Sequence, residues 1–156
     1  MTLPERKNPR LKQFNYSTPC GYFITICTKN MEQSLGKIVG GDAHIAPQMR
    51  LSNVGSIVEK YIRRIPGIHK YIIMPNHLHM IIIIENGAMK ASPPTQSIPS
   101  RIRSFKTMVS KEIGHSIFQR SFHDHIIRGE NDYRKIWEYI DTNVIRWKDD
   151  CFYNEQ

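Results

Sequence analysis

The chain has 156 residues, enough for one domain around one hydrophobic core. It is 40% hydrophobic and 23% charged, with a net charge of +8, a balance that excludes a disordered chain and favours a polyanionic partner. No apolar run approaches the roughly 20 residues of a membrane span, and the charged N-terminus has no apolar stretch behind it. A cytoplasmic protein is therefore expected, with no membrane partner.

In chain order, residues 1–15 read as a basic arm. Gly21–Thr28 (GYFITICT) is β-branched and aromatic, a strand signal. Leu35–Val39 reads as a short strand ended by Gly40 and Gly41. Leu51–Ile65 reads as a helix capped by Ser52, with Val54, Ile57, Val58, Tyr61 and Ile65 on one face. His69–Pro75 and His77–Glu85 are two further strands. The second carries MIIII, an apolar run that suits a central strand covered on both faces. Residues 86–99 form a proline-rich loop. Ser100–Ile113 reads as a helix burying Ile102, Phe105, Val109 and Ile113, with Gly114 as its cap. Phe122–Arg128 is a short strand. Asn131 or Asp132 caps a last helix that runs to about Trp147 with Ile136, Trp137, Ile140 and Val144 as its apolar stripe. Residues 148–156 are a short polar tail. This order predicts an α+β fold of ferredoxin-like type, an antiparallel sheet with helices packed on it, as a single domain over 1–156.

Cys20, Cys27 and Cys151 fit no disulfide framework and no CxxC spacing; they read as free thiols, with Cys27 in the core. The sharpest chemical signal is His77-Leu78-His79. On a strand, i and i+2 point to the same side, so two imidazoles stand side by side while Leu78 enters the opposite layer. Neutral imidazole is a common ligand for divalent metals, and the pair starts a strand directly after a Pro-Asn turn, at the rim of the sheet. The alternative is a pair of exposed histidines at a strand start.

Two histidines leave most of a metal's coordination sphere open. The last helix offers Tyr139 and Asn143, four residues apart and so on one face. A tyrosine serves as a nucleophile once its phenol loses the proton, and the Asn amide oxygen would either reach the metal or orient the tyrosine. Tyr133 competes for the nucleophile's place. The His123/His125 pair is read as packing rather than as a second metal site. Basic residues cluster in the arm (Arg6, Lys7, Arg10, Lys12), after the first helix (Arg63, Arg64) and on the second helix (Arg101, Arg103, Lys106, Lys111), where they would contact phosphates. Arg10, Lys12, Arg101, Arg103 and Lys106 are the DNA-contact candidates.

With these residues in view, YIIMPNHLHMIIII (Tyr71–Ile84) resembles the HUH signature of single-tyrosine transposases. GYFITICTKN (Gly21–Asn30) resembles their first strand, and FQRSFHDHIIRGENDYRKIWEYIDTN (Phe118–Asn143) resembles the C-terminal block of REP-associated tyrosine transposases. The resemblance spans roughly residues 10–147. It implies a ferredoxin-like HUH fold, Tyr139 as the nucleophile that leaves a 5′-phosphotyrosine and a free 3′-OH, and His77 and His79 as ligands of Mg²⁺ or Mn²⁺. Asn143 matches the position that carries a third ligand in related transposases. The implied partner is single-stranded DNA beside a hairpin, met by a monomer or a homodimer. Val144 stands where a proline is usual, which would let the last helix run on, and Phe118 stands where tryptophan is common. The rival readings are a non-catalytic nucleic-acid-binding module of the same sheet topology and a metal hydrolase that activates water.

Overall fold

A computed structural model describes residues 20–84 and 97–155 of the chain. Its centre is a four-stranded antiparallel sheet built from β1 (Cys20–Cys27), β4 (Ile68–Ile73), β5 (His77–Ile84) and β6 (His123–Ile126), in the order β4-β5-β1-β6. β1 pairs with β5 from Cys20↔Ile84 to Cys27↔His77, so the two apolar strands share the middle of the sheet. Between β1 and β4 lie a hairpin of β2 (Gly36–Val39) and β3 (Gln48–Leu51), and the helix α1 (Asn53–Ile62). The helix α2 (Ile98–Ile113) joins β5 to β6, and α3 (Glu130–Thr142) follows β6. This is the ferredoxin-like order of strands and helices expected from the sequence, with the β2–β3 hairpin inserted after β1.

Strand alternation divides the side chains into two layers. Tyr22, Ile24 and Ile26 of β1 and Leu78, Met80 and Ile82 of β5 face one side, where Val58 and Ile62 of α1 and Ile102, Phe105 and Val109 of α2 complete the main core. The odd residues of the same strands face α3. There a smaller apolar cluster of Ile81, Ile136 and Ile140 is flanked by Phe23, Tyr133 and Trp137.

Local signals explain most element ends. Ser52 caps α1 as expected, its hydroxyl accepting from Gly55 N at 3.0 Å. A β-carbon at Gly55 would strike the Leu35 carbonyl, so α1 can approach the start of β2 only with glycine there. Gly114 ends α2 in the left-handed conformation, φ 96°.

The structure adds one strand to the sequence reading and moves several helix ends. β3 was not anticipated, because a four-residue half-exposed strand carries little periodic signal. α1 ends at Ile62 rather than Ile65. α2 begins at Ile98 with Ser97 as its cap, and Pro99 sits in the first turn, where a missing N–H costs nothing. α3 is capped by Gly129, not Asn131 or Asp132, and ends at Thr142. Asp132 instead accepts from Arg128 N at 2.9 Å from within the first turn. Beyond Thr142 the chain turns, enters a 3-10 turn at Trp147–Asp149 and buries Trp147. The arm residues 1–15 and most of the 86–99 loop lie outside the described residues. Among the described residues no helix is long and apolar enough to cross a membrane.

Candidate active site

His77 and His79 are neighbours on β5 and point toward α3, with ring centroids 4.7 Å apart. They start β5 as the sequence suggested, but they are buried, with exposures of 0% and 1%, which sets aside the alternative of two exposed histidines. Loss of hydration keeps both imidazoles neutral. Burial pushes His77 down to about 4 and takes His79 well below the ordinary histidine value.

Each ring is fixed through Nδ1. His79 Nδ1 shares a 2.7 Å hydrogen bond with Thr25 Oγ1 across the β1–β5 ladder. His77 Nδ1 lies 2.8 Å from Asn76 Oδ1. The Asn76 amide is itself oriented, because its Nδ2 donates to Phe152 O at 2.7 Å and to Asn154 Oδ1 at 3.1 Å. Its Oδ1 can therefore only accept, so His77 carries its proton on Nδ1 and leaves Nε2 as a bare lone pair. Such outer hydrogen bonds are the usual means of aiming a histidine ligand.

Among the described residues, four buried side-chain atoms have no hydrogen-bond partner: His77 Nε2, His79 Nε2, Asn143 Oδ1 and Asp150 Oδ2. Leaving one such group unpaired costs about 1–3 kcal/mol, so this concentration in one place calls for an occupant. Ligand atoms of His77, His79 and Asp150 lie within 4.8 Å of one another, and His77 Nε2 is 3.8 Å from Asp150 Oδ2. Two neutral imidazoles, a carboxylate and an amide oxygen form a donor set that fits a divalent cation.

Tyr139 sits over this cluster. Its ring stands 5.2 Å from that of His79 and 6.0 Å from that of Phe23, and the side chain is 40% exposed. Burial, aided by the Asp150 carboxylate, holds its phenol above the usual tyrosine value. Asn143, 2% exposed, keeps helical φ and ψ of −62° and −41° after the last residue of α3, and lies beside both His77 and Tyr139. Tyr133 points elsewhere, with its hydroxyl 2.6 Å from His69 Nε2. The second histidine pair stays apart from the cluster: His123 and His125 are exposed, and His125 Nε2 meets Asp132 Oδ2 at 2.8 Å.

Asp150 was missed by sequence reasoning, which took residues 148–156 as a polar tail. The segment is a packed strap. Phe152 stacks 4.5 Å from the His77 ring, Gln33 Nε2 donates to Asn154 O at 2.6 Å, and Asn154 Nδ2 donates to Met31 O at 3.0 Å. The available signal was Trp147, Phe152 and Tyr153, too much aromatic surface for an unpacked tail.

Of the expected phosphate contacts, Arg10 and Lys12 lie outside the described residues. Arg103 is exposed on α2. Arg101 and Lys106 are engaged within the protein. Arg101 is buried and donates to Pro66 O. Lys106 Nζ donates to the carbonyls of Gln119, Arg120 and Ser121, at 2.7 Å to the first. Both cations hold loops in place, because a long side chain over a turn satisfies backbone oxygens that the sequence alone does not reveal. Cys27 is a buried free thiol, raised to about 11 by burial, and Cys151 is free and exposed.

No family model matches the chain. An uncharacterized protein of Haemophilus influenzae is 37% identical over an alignment of 177 positions, covering 97% of this chain and 94% of that protein. The chain belongs to the same family as this Haemophilus protein. The solved REP-associated tyrosine transposase, bound to a REP hairpin, superposes with a TM-score of 0.59 at 23% identity, over 88% of this chain and 74% of that one. The fold is therefore the one seen in a REP-associated tyrosine transposase.

Proposed function

We propose that the chain is a tyrosine transposase that nicks and rejoins single-stranded DNA beside a hairpin. The observation that carries this reading is the set of partnerless buried atoms on His77, His79 and Asp150, with Asn143 Oδ1 beside them, directly beneath the half-open phenol of Tyr139. Likeness of fold to a transposase solved on a REP hairpin supports it.

His77, His79 and Asp150 would hold Mg²⁺ or Mn²⁺, and Asn143 would either add its oxygen to the ion or orient Tyr139. The two imidazoles favour Mn²⁺ over Mg²⁺, which prefers oxygen donors. When bound, the ion draws charge from the scissile phosphate. Tyr139 is the nucleophile. Its oxygen must come to about 3 Å from phosphorus, in line with the leaving 3′-oxygen. The bond from Tyr139 oxygen to phosphorus forms and the bond from phosphorus to O3′ breaks. The phenol gives its proton to water on its exposed flank, and the 3′-oxygen takes one from water. The product is a 5′-phosphotyrosine, which a second 3′-OH reverses to rejoin the strand. Burial opposes ionisation of Tyr139 in the metal-free state, so the phenol becomes reactive only alongside positive charge.

A labelled single-stranded oligonucleotide with a hairpin, incubated with protein and Mn²⁺, yields a covalent band that survives denaturation. Tyr139→Phe binds the DNA and gives no adduct, whereas Tyr133→Phe behaves as wild type. An adduct that persists in Tyr139→Phe removes the assignment. Cleavage without any adduct replaces the tyrosine by activated water, and binding without cleavage leaves a nucleic-acid-binding module.

A further inference from the structure

Thr25 of β1 stands directly opposite His79 of β5 on one side and His123 of β6 on the other. Directly paired residues point to the same face of a sheet, and the Thr25–His79 hydrogen bond marks that face as the one under α3. His123 is therefore in one row with His79, two interstrand spacings or roughly 10 Å away between backbones, and it is exposed. Tyr139 meets the same row from α3. The helix runs against the direction of β5: Ile136 packs on Ile81, Tyr139 on His79, and Asn143 lies beside His77. β6 is parallel to β5, since both are antiparallel to β1. Asp132, seven residues before Tyr139, bonds His125 of β6 at 2.8 Å. Seven residues make two helical turns with a lag of about 20°, so Asp132 and Tyr139 share the stripe that faces β6. Tyr139 lies about 10 Å along the helix from Asp132, and His123 lies about 7 Å along β6 from His125 in the same direction. The exposed flank of Tyr139 thus looks out over His123.

We propose that His123 takes the proton of Tyr139 during nicking, through one water, and returns it when the strand is rejoined. The inference rests on the reading of the chain as a tyrosine transposase and adds the group that activates its nucleophile. The other groups around the phenol are committed elsewhere. His77, His79 and Asp150 would face the ion, and the Asn143 amide is no proton acceptor. His125 Nε2 is engaged by Asp132, and Lys135, one turn before Tyr139 on the helix, is a cation. Imidazole is the side chain most often used for such a transfer, and a single bridging water is within its reach. As the bond from Tyr139 oxygen to phosphorus forms, the phenolic proton moves to the water and one proton of that water moves to a His123 ring nitrogen. The imidazolium then gives its proton to solvent. This replaces the proton that the 3′-oxygen has taken from water, so no net proton is consumed. Rejoining runs the same transfers in reverse.

The test follows single-turnover formation of the covalent adduct on a labelled oligonucleotide with a hairpin, in the presence of Mn²⁺. In His123→Ala the rate falls about 100-fold, the lower end of what a general base contributes. Oligonucleotide affinity, Mn²⁺ binding by calorimetry and the melting temperature match wild type. Free imidazole raises the rate of the variant about tenfold and leaves wild type unchanged, and substituted imidazoles raise it more as their basicity increases. Guanidinium at equal concentration, a cation that cannot accept a proton, gives no rescue. A variant whose adduct forms at the wild-type rate overturns the proposal. So does rescue by guanidinium, or a loss of DNA affinity that matches the loss of rate, since either makes His123 a phosphate contact. Failure of the nicking reading is told apart from these, because it shows in wild type, as the absence of any adduct.

Discussion

The two faces of β5 are built from alternate residues of one eight-residue strand, yet they obey opposite rules. Leu78, Met80 and Ile82 enter a core shared with α1 and α2, where the apolar side chains exclude water. His77 and His79 are equally buried, but on the α3 face they end in unpartnered nitrogens beside an unpartnered carboxylate oxygen and amide oxygen. Burial on the first face stabilises by removing apolar surface from water. On the second it stores unfavourable desolvation that a bound cation would relieve. One face makes the fold and the other makes a site the fold must hold open.

Replacing both histidines tests this division most severely. His77→Ala/His79→Ala abolishes Mn²⁺ binding in calorimetry, along with any covalent adduct. The metal-free protein still folds, because two uncompensated buried nitrogens leave together with the rings. Retained Mn²⁺ affinity would move the metal elsewhere. Leu78→Ala, between the two histidines, does the converse. It costs about 3 kcal/mol in denaturant unfolding, the usual range for a buried leucine, while Mn²⁺ affinity at a temperature where the protein is folded stays near wild type. A variant that lost metal binding and kept its stability would show that the two faces are not separable.

The division was legible in the sequence because its signals are local. Strand alternation alone sends His77 and His79 one way and Leu78 the other, and the apolar run after them marks a central strand. That Tyr139 and Asn143 share one face was legible for the same reason, through helical spacing. The end of α3 was not. Val144 in place of proline suggested a longer helix, whereas the helix stops at Thr142 and residues 147–154 fold back over the histidines. Asp150 escaped because its position depends on Gln33, Asn76 and Asn154, contacts between residues far apart in sequence. The internal bonds of Arg101 and Lys106 were hidden for the converse reason. Each cation is a loop brace, and nothing in its immediate neighbours discloses the carbonyls it meets.

The strap sharpens the comparison further. Asn76 joins it to the histidine cluster, accepting from His77 Nδ1 and donating to Phe152 O. Asn76→Ala frees the His77 ring to rotate and to change tautomer. Loss of such an outer partner lowers metal affinity about 10- to 100-fold, and Mn²⁺ titration reads this directly. A shift smaller than twofold would mean that packing against Phe152 alone aims the ring. Thr25→Val removes the corresponding bond to His79 and is expected to fall in the same range, since β1 supplies it from a rigid neighbouring strand.

The smallest expected change is a pH effect, and its near absence is informative. A solvent-exposed pair of histidines with ordinary values near 6.5 would lose several hundredfold in metal affinity between pH 7 and pH 5, as protons compete for both nitrogens. Here burial pushes His77 down to about 4 and His79 well below its usual value, so both remain neutral through that range. Mn²⁺ affinity should therefore fall by less than about twofold. Folding stability of the metal-free protein responds differently. In the unfolded chain both imidazoles take up protons below about pH 6.5, and in the folded chain they do not. The unfolded state then binds more protons, so stability declines as the pH falls from about 6.5 toward 4. Calorimetric Mn²⁺ titrations at pH 7 and pH 5, paired with urea unfolding at the same two values, separate the effects. A several-hundredfold loss of Mn²⁺ affinity with no loss of metal-free stability would mean that the pair is hydrated in solution, and the contrast between the two faces of β5 would then be one of side-chain chemistry rather than of burial.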